Sequence, residues 1–139
     1  MKQTDYFFNE NVTIHEGLST GAITSASMFF TKEHIYIIPA NSHQVLGTLH
    51  TLTDFTNSAD FINDLVGKIE TLSADNLHKT MQSFLPEDYI YDIVSLKKFT
   101  INTGWLTAGI RLKKQGGKLK TINIRPRAQL KQLKAFYNL

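Results

Sequence analysis

Apolar positions in this chain recur at two periods, and the switches between them divide it into four stretches. In residues 12–40 the runs Ser27-Met28-Phe29-Phe30-Thr31 and His34-Ile35-Tyr36-Ile37-Ile38 are rich in β-branched and aromatic types, which fit a pleated, half-buried surface. They read as two strands. The polar tetrapeptide Thr31-Lys32-Glu33-His34 suits the hairpin turn between them. Pro39 has no N–H to give a ladder, so it should end the second arm. Ile23, in a Thr- and Ser-rich stretch, suggests a further strand.

Residues 55–85 change to the helical period. Phe61, Ile62, Leu65, Val66, Ile69 and Leu72 recur as one face of a helix, capped by Asn57 or Ser58, with Asp60 and Asp64 near the positive end of its dipole. Gly67 falls inside this helix at a cost of about 1 kcal/mol against alanine, for which a close packing contact is the expected reason. Ser73 should cap a second helix carrying Leu77, Met81, Phe84 and Leu85, stopped by Pro86.

Residues 89–125 return to strands. An apolar run covers Tyr89 to Val94, and Phe99 and Ile101 alternate with polar neighbours. Leu106, Ala108, Ile110 and Leu112 form a period-2 series, and Ile122 and Ile124 form another. Asn102-Thr103-Gly104 and Gln115-Gly116-Gly117 are the turn signals between them. Lys118 and Lys120 share parity with Ile122, which places them near a strand end where the core side opens to water. In residues 126–138 Pro126 suits a first helical position, and Leu130, Leu133, Phe136 and Tyr137 form one stripe. Short turns between consecutive strands imply antiparallel pairing. The fold class expected is α+β, with a curled antiparallel sheet or partly open barrel, an inserted helix pair, and the last helix packed on the sheet. All 139 residues are the size of one domain.

Two blocks resemble bacterial pleckstrin-homology-like and GRAM-like domains. One is Met28-Phe29-Phe30-Thr31-Lys32-Glu33-His34-Ile35-Tyr36-Ile37-Ile38-Pro39, whose Phe-Thr-x-x-x-Ile-Tyr step is similar to their early hairpin. The other runs from Tyr91-Asp92-Ile93-Val94-Ser95-Leu96 through the glycine turns to Phe136, and is similar to their later strands and closing helix. The resemblance implies a non-enzymatic binding module. The helix pair departs from it. So does the segment Gly17-Leu18-Ser19-Thr20-Gly21-Ala22, which lacks the basic residues that many lipid-binding members place between their first two strands.

Composition narrows the chemistry. With no cysteine, disulfides, Cys-based metal sites and thiol catalysis are excluded. A hydrophobic content of 42% against 19% charged argues for a folded chain. No apolar run reaches membrane-span length and the N-terminus has no signal-peptide pattern, so a soluble, cytoplasmic protein is expected, peripheral to a membrane at most. The five histidines, His15, His34, His43, His50 and His78, show no ligand spacing, so neither a metal nor another cofactor is expected. No phosphate-binding loop or nucleophile elbow is present.

Charge is the strongest asymmetry. Residues 1–92 hold all 12 acids and only the bases Lys2, Lys32, Lys68 and Lys79, whereas residues 93–139 hold the other 11 bases and no acid. Arg111, Lys113, Lys114, Lys118, Lys120, Arg125 and Arg127 are the candidate anion or partner contacts, set about glycine turns and a helix start that present N–H groups. Such residues also serve simply as a solvated, aggregation-resistant sheet edge. The acids Asp54, Asp60, Asp64, Glu70 and Asp75 read as the solvated face of the helix pair, or as a complement to the basic strands within the fold or across a homodimer. Trp105 lies off the apolar parity beside a turn, and reads either as a core plug or as an exposed contact for a membrane interface or a partner pocket. Three functions follow. The first is a binding module for a protein or an anionic phospholipid surface through the basic strands. The second is a nucleic-acid-associated protein that stacks bases on Trp105 or Phe99. The third is a small enzyme, marked by a pocket that brings two histidines together with Asp or Glu.

Overall fold

The computed structural model describes residues 1–16, 23–40 and 58–139. Among these residues seven strands form one antiparallel sheet: β1 (Tyr6–Glu16), β2 (Ile23–Thr31), β3 (His34–Pro39), β4 (Ile90–Asp92), β5 (Lys98–Asn102), β6 (Gly109–Lys113) and β7 (Lys120–Ile124), in the order β4-β3-β2-β1-β7-β6-β5. The sheet curls into a half-barrel. Three α-helices accompany it among the described residues: α1 (Ser58–Lys68), α2 (Ala74–Phe84) and α3 (Ala128–Phe136). The α+β architecture is as expected from the order of periods, and its shape is consistent with a pleckstrin-homology-like fold.

The first strand opens ahead of the stretch read as strands, residues 12–40. It begins at Tyr6, six residues ahead of the expected start, and occupies the middle of the sheet, pairing β2 on one side and β7 on the other. Tyr6, Phe7 and Phe8 hide the strand period because they are apolar toward both faces. Phe7 packs with the core under α3, while Tyr6 and Phe8 pack with the core under the helix pair. Two cores result. One joins Val12, Ile14, Met28, Phe30, Ile110, Leu112 and Ile122 to Leu130 and Leu133 of α3. The other joins Phe29, Tyr36 and Ile38 to Phe61, Leu65, Leu77, Met81 and Phe84. Strands β2 and β3 are therefore buried on both faces, which is why they read as continuous apolar runs. The β2–β3 turn is closed by Thr31, whose Oγ1 accepts the His34 N–H at 3.0 Å.

The helix pair forms with different ends. α1 stops at Lys68 and continues as a 3-10 turn, Ile69–Thr71. The Met1 ammonium donates to the carbonyls of Ile69 (2.9 Å), Glu70 (3.2 Å) and Leu72 (2.6 Å), placing a positive charge at the negative end of the dipole. Val66 faces solvent, so the buried stripe is narrower than the period suggests. Among the described residues nothing lies within 4 Å of a Cβ built on Gly67, so none of them supplies the expected packing contact. The Ser73 cap is present, with its Oγ accepting from Asn76 N at 3.1 Å. Asn57 and Asp54 lie outside the described residues, whereas Asp60, Asp64, Glu70 and Asp75 are exposed.

Two further boundaries move. The β6 strand begins at Gly109, not Leu106, because residues 103–108 form a connection of their own. Asn102 Oδ1 accepts the Gly104 N–H at 2.9 Å and its Nδ2 donates to Thr107 Oγ1 at 2.7 Å, which turns Trp105 and Leu106 outward. The last helix begins at Ala128, since Pro126 lies in the preceding turn, where its carbonyl accepts the Gln129 N–H at 3.0 Å.

Candidate functional site

The alternation of β5, β6 and β7 turns Phe99, Ile101, Ile110, Leu112, Ile122 and Ile124 to the core under α3, and this assigns each basic residue to its side. Arg111 and Lys113 point to the opposite face. Register places Lys98 directly across from Lys113, and Thr100 and Thr121 on either side of Arg111. Like charges facing across a ladder repel. Among the described residues no carboxylate pairs with Lys98, Arg111 or Lys113. Lys98 belongs with this group although no turn or motif marks it; only the hairpin register reveals it.

Lys114 and Lys120 lie on the core side, at the rim where the barrel opens. Lys114 Nζ donates to the Glu87 carbonyl at 2.7 Å and stands 4.8 Å from the Tyr91 ring centre. Lys120 Nζ donates to the Tyr91 hydroxyl and stands 5.1 Å from the same ring. Burial, with Lys114 adding to it, pulls the Lys120 ammonium below its ordinary range, against the opposing pull of Glu16 and Asp88. Burial raises the Tyr91 phenol, so that hydroxyl keeps its proton. These two lysines fasten the β6–β7 hairpin to the 86–91 segment. Lys118 is exposed at the hairpin tip.

Arg125 lies just past the other end of β7, about 17 Å from Lys120 at strand rise, and Arg127 follows it at the start of α3. The seven candidate residues thus do not form one cluster. Instead Arg127 reaches the loop that carries Trp105. Its Nη2 donates to the Gly104 carbonyl at 2.6 Å, at the base of the loop that carries Trp105, 80% exposed, and Leu106, 75% exposed. The core-plug reading of Trp105 is therefore overturned, because the Asn102 bonds close the loop on polar partners before it can fold inward. Phe99 packs edge-on to Tyr137, centroids 5.2 Å apart, within the core region, so Trp105 alone of the two proposed stacking aromatics faces solvent.

The histidines supply an arrangement absent from the sequence pattern. Between β3, β4, α2 and the β6–β7 hairpin lies a cleft of about 650 Å³ whose walls include His34, His78, Glu87, Asp92 and Lys114. His34 stacks on His78 with ring centres 4.0 Å apart, and Asp92 is its register partner on β4. The Tyr36 hydroxyl lies 2.9 Å from His78 Nδ1. The His34 imidazole is held below its ordinary range by burial and by His78, against opposing pulls from Asp92 and Glu33. Residues 34, 78 and 92 converge only through the β3–β4 pairing and the packing of α2, so no spacing rule marks them. No three His, Asp or Glu side chains among the described residues are placed to hold a metal ion. His43 and His50 lie outside the described residues, and His15, on β1, is not part of the cleft wall. Among the described residues no helix is long and apolar enough to cross a membrane. Comparison with protein-family models, curated proteins and solved structures finds no match to this chain.

Proposed function

We propose that this chain is a non-enzymatic binding module, of pleckstrin-homology-like type, that docks on an anionic phospholipid surface through the loop between β5 and β6. The observation that carries this reading is the exposed pair Trp105–Leu106 above the Arg127–Gly104 hydrogen bond. An indole with one apolar body and one N–H suits the water–lipid boundary. Burying Trp105 and Leu106 stabilises the bound state by roughly 1.5–3 kcal/mol each. Arg125 and Arg127 at headgroup level contribute about 1 kcal/mol apiece. Such a sum gives reversible docking. Trp105 is the only tryptophan, so its fluorescence reads insertion directly. Vesicles containing phosphatidylserine should shift its emission to shorter wavelength, brominated lipid should quench it, and salt should weaken both effects. Unchanged emission together with no co-sedimentation at low salt overturns the reading and turns the same loop toward a protein pocket.

One observation favours a second reading, a small enzyme: the cleft that joins His34 and His78 to Asp92 and Glu87. Turnover of a substrate that is lost in both His34→Gln and His78→Gln would establish it over the first.

A further inference from the structure

We propose that the cleft between β4, α2 and the β6–β7 hairpin binds an alkylammonium group. Its volume of about 650 Å³ is that of a small-molecule site. The decisive feature is an excess of acceptors. Neither the Glu87 nor the Asp92 carboxylate has a hydrogen-bond or ion-pair partner among the described residues, and the ring nitrogens of His34 are likewise unbonded. The cation on the wall, Lys114, is directed into the protein by the Glu87 carbonyl and the Tyr91 ring.

The stacked imidazoles form one wall of the cleft. Tyr36 is fully buried and burial raises its phenol, so the hydroxyl keeps its proton. It lies 2.9 Å from His78 Nδ1, and in the tautomer that accepts this hydroxyl the ring's own proton sits on Nε2. His34 stacks on His78, and while its ring is neutral one of its two nitrogens is an acceptor. Two acidic residues and the His34 imidazole thus line the cleft together with one ammonium that is already engaged. An anion would meet both carboxylates. An alkylammonium brings a positive charge and three donors, the complement of this lining.

The test is a titration of the full-length chain, at about pH 7.5 where imidazole is neutral, with three probes: 1,4-diaminobutane, Nα-acetyl-lysine amide and inorganic phosphate. The signals of the His34 and His78 rings are read by NMR. Saturable shifts with millimolar diamine are expected. Comparable shifts with the lysine amide identify a peptide side chain as the source, and weaker ones a free amine. Glu87→Gln and Asp92→Asn should each weaken binding by about tenfold, the loss of one charge-assisted hydrogen bond. Both sites are exposed, so unchanged melting temperatures should show that the fold is kept. The proposal fails if the amines leave both rings unmoved, if phosphate moves them instead, or if both neutralised variants bind the diamine as the parent does.

Discussion

The side-chain amide of Asn9 donates to the carbonyl of Arg125 at 3.1 Å, tying the first strand to the turn before the last helix across 116 positions. Asn9 is 5% exposed. Its Oδ1 accepts the Asn11 N–H at 2.7 Å and its Nδ2 also meets Gln129 Oε1. These bonds span the register shift between Asn9 and Val12 and hold the segment from which Arg127 reaches Gly104. Asn9→Ala should destabilise the fold by about 1–3 kcal/mol, because it leaves buried groups without partners. Denaturant unfolding checks this through a lower midpoint at unchanged slope.

Docking through the β5–β6 loop makes a prediction about which basic end matters. Trp105→Ala should weaken vesicle binding by about tenfold or more with the melting temperature unchanged, since the side chain is 80% exposed. The double variant Arg125→Glu, Arg127→Glu should lose more affinity than Lys113→Glu, Lys118→Glu. Co-sedimentation of the three variants at one salt concentration decides the point, and the opposite ranking would place the docking surface at the hairpin end.

Two glycines should respond in opposite directions to alanine. Gly109 has φ +144°, and a Cβ there would lie 2.9 Å from the Ile122 carbonyl oxygen. Gly109→Ala should cost about 1–3 kcal/mol. Gly67 sits inside α1, and none of the described residues lies within 4 Å of where a Cβ would go, so Gly67→Ala should stabilise by about 1 kcal/mol. Thermal unfolding should show the two melting temperatures moving apart by several degrees.

The His34 shift predicts an acid-side loss of stability. Its imidazole is held below the ordinary value of 6.5 in the folded chain, so the unfolded chain takes up this proton at the higher pH. The contribution to stability is intact above 6.5 and is lost as pH falls through that value toward the folded one. The groups around the ring are His78 on α2, Tyr36 on β3, Glu33 in the turn and Asp92 on β4, with Glu87 and Lys114 across the cleft. His34→Gln should flatten the fall in stability between about pH 7 and pH 5, measured by denaturant midpoints. An unchanged slope would assign that fall to the carboxylates.

Much of the fold is legible residue by residue. The Thr31–His34 turn, the Ser73 cap, the stripe Leu130–Leu133 and the alternation about Ile110 and Ile122 are written in neighbours one to four positions apart, and the structure has each of them. The first half of β1 is not legible, because Tyr6, Phe7 and Phe8 serve two cores at once and so show no period. Val66 and Leu106 mislead for the reverse reason, being apolar side chains that continue a pattern past the point where packing stops.

The sequence by itself determined the α+β class, the turns, and an excess of bases after Asp92. Tertiary structure alone decided where those bases go: Arg111 and Lys113 outward with Lys98, Lys114 and Lys120 onto Tyr91, Arg127 beneath Trp105. It also decided that His34, His78 and Asp92 share one cleft. Backbone period and turn chemistry act between residues close in the chain and leave a local record. A site depends on strand register and on the curl of the sheet, which are set by the burial of side chains from both ends of the chain at once.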